Sequence, residues 1–240
     1  MPIYKVWRES RSRFLFILAA LLLITAASTF YNAQAEKVVI EAKDFHEAGF
    51  RTLQGPLFLF WGFAAVFLGL GGLLRERSVG TVDYTLSLPV SRTRWFLYRA
   101  VNGALQAIAV AVIPALAVPV MARFFGGDYP AGEALVHGLR LGIGGMLFYS
   151  IGLLVSALFP GEFTSAGIGI ALVFAVNNGT RVIQSLKQLN LQDAITPMQM
   201  VDTSTYLTRG QMPCIGICLS FALSVVLSSV AWKVTSNRDF

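Results

Sequence analysis

The sequence predicts an all-α integral membrane protein of six transmembrane helices, with a short N-terminal interfacial helix and a further short cytoplasmic helix between helices 2 and 3. Composition is the first reason. The 240 residues are 55% apolar and 13% charged, whereas soluble domains carry about 25% charged residues. Mean hydropathy is +0.63. The second reason is distribution: charges gather between long apolar runs instead of spreading over one face of each helix. The third is length, because several runs approach the roughly 20 residues that cross a hydrocarbon core of about 30 Å.

Six runs qualify: Phe14 to Tyr31, Pro56 to Leu74, Ala100 to Ala122, Leu141 to Phe159, Thr164 to Val182 and Pro213 to Trp232. The second and sixth contain no charged residue. The fifth is short, holds Asn177 and Asn178, and meets Arg181 before its outer end. A basic start, an apolar stretch and Ala33-Gln34-Ala35 also fit a cleavable signal peptide. The run from Phe14 exceeds the roughly 7 to 15 residues of a signal core, which favours an uncleaved span.

Orientation follows from Lys and Arg, which are retained near cytoplasmic span ends. With the N-terminus inside, eleven of the 19 basic residues fall on the inner side. Counting acids too, the whole formal charge of +6 sits there. The expected location is the cell (inner) membrane with both termini cytoplasmic. Such a basic face suits anionic lipid headgroups before nucleic acid. Before the first span, Ile3, Tyr4, Val6 and Trp7 alternate with Lys5, Arg8, Arg11 and Arg13. This pattern fits either a short helix lying on the inner leaflet or a basic flank that fixes topology.

The longest gaps between spans are about two dozen residues or slightly more, too few for an independent core, so residues 1–240 are expected to form one membrane domain. Cys214 and Cys218 lie four apart on one helix face and are read as packing residues. His46 and His137 stand alone in outer segments, and no ligand spacing implies a metal. Gly138 with Gly142, and Ser165 with Gly169, have the spacing that lets helix backbones approach in lipid. Pro114 and Pro119 should bend the third span. No Asp, Glu, Lys or Arg lies at the centre of any predicted span, which disfavours an ion-driven pump.

The connection from Arg75 to Arg99, RERSVGTVDYTLSLPVSRTRWFLYR, is longer than a simple link requires. Gly80 offers a break, Thr81 can cap a helix, and Asp83 suits that helix's dipole. Leu86 and Leu88 then supply an apolar surface, Pro89 ends it, and Ser91 can cap the helix entering the third span. An apolar and charged element held between two spans can dock into a groove on another protein.

This segment resembles the ABC-2 type family of ABC transporter permeases, in a Glu, Gly-Thr, Leu-Ser-Leu-Pro, Ser-Arg pattern after the second of six spans. The matching residues are Glu76, Gly80, Thr81, Leu86, Ser87, Leu88, Pro89, Ser91 and Arg92. The closing Asn237-Arg238-Asp239-Phe240 agrees as well. One departure is that Glu76 stands as a single acid between Arg75 and Arg77, where members often have two acids.

The resemblance implies a coupling helix here, a cytoplasmic ABC ATPase subunit as partner, a second permease chain in a homo- or heterodimer, and export. The chain has no GxxxxGK[ST] loop, so ATP and Mg would be bound by the partner and no cofactor by this chain. A path between two permease chains would be lined by polar groups on spans. Asn102 and Gln106, four apart, and Asn177 and Asn178 are the candidates. Interhelical hydrogen bonding explains the same residues equally well. A non-transport membrane scaffold and an ion-coupled carrier are the other readings.

Overall fold

In lipid, backbone N–H and C=O groups have no water to bond, so apolar runs satisfy them internally as helices. The computed structural model describes residues 2–39, 58–70, 80, 91–124, 130–159, 161–185 and 214–237. These form α1 (Pro2–Val39), α2 (Phe58–Gly69), α3 (Arg92–Phe124), α4 (Ala131–Gly144), α5 (Met146–Leu158), α6 (Glu162–Ser185) and α7 (Cys214–Asn237). A single residue, Gly145, separates α4 from α5, so the two make one rod and the described helices make six. Four stretches are long and apolar enough to cross a membrane: Tyr4–Tyr31, Thr93–Phe124, Ala131–Leu158 and Ile217–Asn237. Two shorter apolar helices, Leu59–Gly69 and Phe163–Ala175, belong to the second and fifth predicted spans.

Side-chain contacts give the rods' directions. Gly62 meets Phe148 and Gly152 meets Val66, so α2 and α5 run parallel. Gly62 also meets Val173 while Gly169 meets Val66, so α6 runs against α2. Gly138 lies on Val112 and Gly142 on Ile108, making α4 antiparallel to α3. Ser220 Oγ donates to the Gly144 carbonyl and Ser228 pairs with Ser150, so α7 runs with α4 and α5.

Glycine sets the closest approaches. A methyl group added at Gly152 would lie 2.4 Å from the Val66 carbonyl oxygen, and one at Gly69 would lie 2.6 Å from that of Tyr149. Backbone therefore meets backbone along α2 and α5. Across this contact lies Trp61, fully buried, donating its indole N–H to the Ala107 carbonyl at 3.1 Å. Its ring occupies the space a side chain at Gly145 would need. The Gly138 and Gly142 spacing is likewise used, against Val112 and Ile108 of α3. Gly169 presses on Val66, but Ser165 bonds within its own chain end, to the Phe159 carbonyl at 3.1 Å. Through Pro114 and Pro119 α3 continues as helix.

Three expectations change. The basic N-terminal stretch is no separate interfacial helix: it forms the first turns of α1, because Val6, at 3% exposure, and Ser10 face the protein. The described part of α2 ends at Gly69, short of Leu74, and residues 71–74 lie outside the described residues. The fourth rod begins at Ala131, ten residues before the predicted Leu141. Its added turns carry Glu133, His137 and Arg140, with His137 and Arg140 buried. These polar residues precede the apolar run that begins at Leu141, and because they face protein instead of lipid they hide from a hydropathy reading.

Gly152→Leu is expected to lower the thermal midpoint of the purified protein by roughly 5 °C or more. Gly132→Ala, whose methyl would meet nothing within 4 Å, should leave it within about 1 °C. A melting curve in detergent reads both.

Candidate functional site

The last carbonyls of a helix have no partner within it. At the end of α2 three other helices supply partners. Arg13 of α1 donates through Nη1 to the Leu70 carbonyl at 3.2 Å, and Arg99 of α3 donates through Nη2 to the same oxygen at 3.0 Å. Ser156 of α5 donates to the Gly69 carbonyl at 3.4 Å. Cations at a helix C-terminus also offset the negative end of its dipole. The Arg99 guanidinium lies over the Trp95 ring, 5.5 Å from its centroid, which orients it.

One turn away, Ser10 Oγ accepts from Asn102 Nδ2 at 3.1 Å and from Gln106 Nε2 at 2.7 Å. It donates in turn to the Val6 carbonyl at 3.0 Å. Tyr149 of α5 donates its hydroxyl to the Ala100 carbonyl at 2.9 Å, passing over Gly103, where a side chain would collide with it. Between these groups is a cleft of about 30 Å³ lined by Glu9, Ser10, Arg13, Leu70, Arg99 and Gln106, among others. Gln106 Oε1 is buried without a hydrogen-bond partner among the described residues. The arrangement is a polar node that joins α1, α2, α3 and α5 at one end of the bundle.

That node sits at both roots of the 71–90 connection. Leu70 precedes it, and Ser91 and α3 follow. Ser91 caps α3 as expected: its Oγ accepts from the Arg94 N–H at 3.4 Å and its carbonyl from Trp95 N–H at 3.0 Å. Gly80 forms a turn with φ +77°, in the left-handed region that favours glycine. Arg92 begins α3. Glu76, Thr81, Asp83, Leu86, Leu88 and Pro89 lie outside the described residues, as does the coupling helix they would build.

Of the polar candidates, Asn102 and Gln106 are brought together, but on Ser10 of α1, which is the interhelical bonding reading. Asn177 and Asn178 lie on α6, with side chains outside the described set. Ser10 and the Leu70 carbonyl were missed, though Val6, Ser10 and Phe14 repeat at four-residue spacing on one face. Arg99, at the end of the Arg75–Arg99 segment, bonds within the chain, to the Leu70 carbonyl.

Fold and node together define a multi-helix membrane protein whose basic end anchors one long connection. The profile described as ABC-2 family transporter protein matches residues 7–209. The chain therefore belongs to the ABC-2 family, as an ABC-2 type permease. The match takes in α1 to α6 and stops before α7. No curated protein matches the chain in sequence.

Replacing both Arg13 and Arg99 by Gln should loosen the end of α2. Exchange of the Leu70 amide, which bonds to Val66 and Phe67 carbonyls, is expected to rise about tenfold, equivalent to about 1.4 kcal/mol of lost capping. Unchanged exchange in the double variant would show that the arginines do not hold this end.

Proposed function

We propose that the chain is the membrane-spanning subunit of an ATP-driven exporter, paired with a second permease chain and driven by a separate cytoplasmic ATPase subunit. The observation that carries this reading is the convergence of Arg13 and Arg99 on the Leu70 carbonyl. It ties Leu70, which precedes the 71–90 connection, to α1 and to α3, which follows it. A docking element transmits force only when its roots are held, and these are held by three helices at once.

On this reading the basic end faces the cytoplasm of a cell whose inner membrane holds the chain, with six crossings. Glu76, Gly80, Thr81, Asp83, Leu86, Leu88, Pro89, Ser91 and Arg92 form the coupling element. ATP and Mg bind the partner, and this chain holds no cofactor. ATP-driven approach of two ATPases draws the two connections together and favours one packing of the rods over another. The size of the shift equals the difference in affinity of the ATPase pair for the two packings. Family membership supports the ATPase partner.

Copurification tests it. The wild-type chain, coexpressed with its neighbouring reading frames, should bring down a chain containing GxxxxGK[ST]. Leu86→Asp or Leu88→Asp should cut recovery at least tenfold, because a charge in a docked apolar surface costs at least about 1.4 kcal/mol. Full recovery with both variants would remove the docking assignment. Recovery of no ATPase by the wild type would return the scaffold and ion-coupled carrier readings.

A further inference from the structure

Gln106 of α3 is 3% exposed. Its Nε2 donates to Ser10 Oγ at 2.7 Å, while its Oε1 is buried with no hydrogen-bond partner among the described residues. A buried acceptor left unbonded is costly, so it marks a place where a donor from outside the chain fits. Ser10 is not that donor, because its one O–H is directed at backbone carbonyls of its own helix, those of Val6 and Trp7. Gln106 lines the cleft of about 30 Å³ at the polar node, which gives an entering donor room to stand.

The occupant's size and polarity follow from the walls. One water needs about 10 to 15 Å³, so the cleft has room for about two water-sized groups. Val6, Leu68 and Leu70 make part of the lining apolar. Gln106 Oε1 is the one buried side-chain nitrogen or oxygen in that lining without a bond, among the described residues. A hydroxymethyl group, one carbon and one hydroxyl, matches this mixture: its O–H donates to Gln106 and its carbon meets the apolar side chains.

Charge and depth decide what carries that group. Glu9, Arg13 and Arg99 also line the cleft, one carboxylate against two guanidiniums, and Lys5 lies 3.7 Å from Glu9 and offsets it. Positive walls disfavour an ammonium beside Gln106 and favour a neutral hydroxyl attached to an anion, and guanidiniums match the oxygens of a phosphate. Helical side chains lean toward the N-terminus, so the Gln106 amide stands near the level of Asn102, which bonds the same Ser10 oxygen. That level is the first turn of the apolar run from Ala100, and Glu9 and Arg13 precede the run from Phe14. The cleft therefore lies where hydrocarbon gives way to the phosphates of a leaflet. We propose that it binds a phosphate ester carrying a free hydroxymethyl group, with the hydroxyl on Gln106 Oε1 and the phosphate facing the guanidinium walls. Two sources share this chemistry, the headgroup of phosphatidylglycerol and a small glycerol phosphate in the water phase. The site needs this chain alone and does not depend on an ATPase partner.

The test uses the purified full chain in detergent, with bound lipid counted by native mass spectrometry. Dioctanoyl phosphatidylglycerol is compared with dioctanoyl phosphatidylmethanol, which keeps the phosphate charge and lacks the hydroxyl. The wild type should bind the first on the order of tenfold more tightly. Gln106→Met should bring the two lipids to equal affinity, its phosphatidylmethanol binding serving as the check that it is folded. Displacement of phosphatidylglycerol by an equal concentration of glycerol phosphate assigns the soluble source, and failure to displace assigns the lipid headgroup.

Three results overturn the proposal. Equal binding of the two lipids by the wild type would leave the cleft to water, whatever the variant does. A preference that persists in folded Gln106→Met would take the hydroxyl away from Gln106. Tighter binding of dioctanoyl phosphatidylethanolamine than of phosphatidylglycerol would make the donor an ammonium.

Discussion

The contact on which the other packing rests is backbone against backbone between α2 and α5. Gly152 lets the Val66 carbonyl approach, and Gly69 does the same for Tyr149. In lipid no hydrophobic force drives helices together, so dispersion and interhelical hydrogen bonds must do so, and both demand close approach. Once α2 is seated on α5, Trp61 reaches across to the Ala107 carbonyl. α3 is thereby tied in, and α4 closes over α3 through its own two glycines. The glycine stripe is a precondition for the tryptophan, because a side chain at Gly145 would occupy the ring's place.

The early end of α2 has a second consequence. A helix that stops at Gly69 leaves carbonyls near the membrane boundary, where leaving them unbonded is costly. Arg13, Arg99 and Ser156 meet that need from three helices. The polar node is thus a product of helix termination as much as of function. Because those carbonyls also begin the connection to α3, capping and anchoring are one and the same set of bonds. Tyr149 adds α5 to the set, so the most buried rod and the node share a hydroxyl.

Much of this was legible in sequence and some was not, for physical reasons. The apolar runs, the Gly138 and Gly142 contact and the Ser91 cap rest on local spacing, which sequence displays directly. The partner of Asn102 and Gln106 could not be read, since Ser10 lies over ninety residues away in a stretch that looks like a topology flank. The extra turns of α4 escaped because hydropathy assumes that a span faces lipid. Glu133, His137 and Arg140 share one face, and a heptad-like spacing of 133, 137, 140 and 144 was the available signal. The straight N-terminal extension of α1 was missed on the same ground. An alternation of basic and aromatic residues suits a leaflet surface, but Val6 and Ser10 repeat toward protein.

Arg140 and Tyr149 lie on either side of Gly145, so whether the fourth rod is one body decides whether they are mechanically related. The residue leaves the helical region, with φ −86° and ψ 5°. Yet the hydrogen-bond ladder crosses it: the Gly145 N–H donates to the Leu141 carbonyl at 2.9 Å, and the Phe148 N–H to that of Gly145 at 3.0 Å. Trp61 stands against Gly145, its ring where a side chain there would lie. A rod with a continuous ladder and a buttressed break moves as a unit. The Ser220 and Ser228 bonds join α7 to the same rod. The polar node at the roots of the long connection is therefore joined to α7 through the α4–α5 rod.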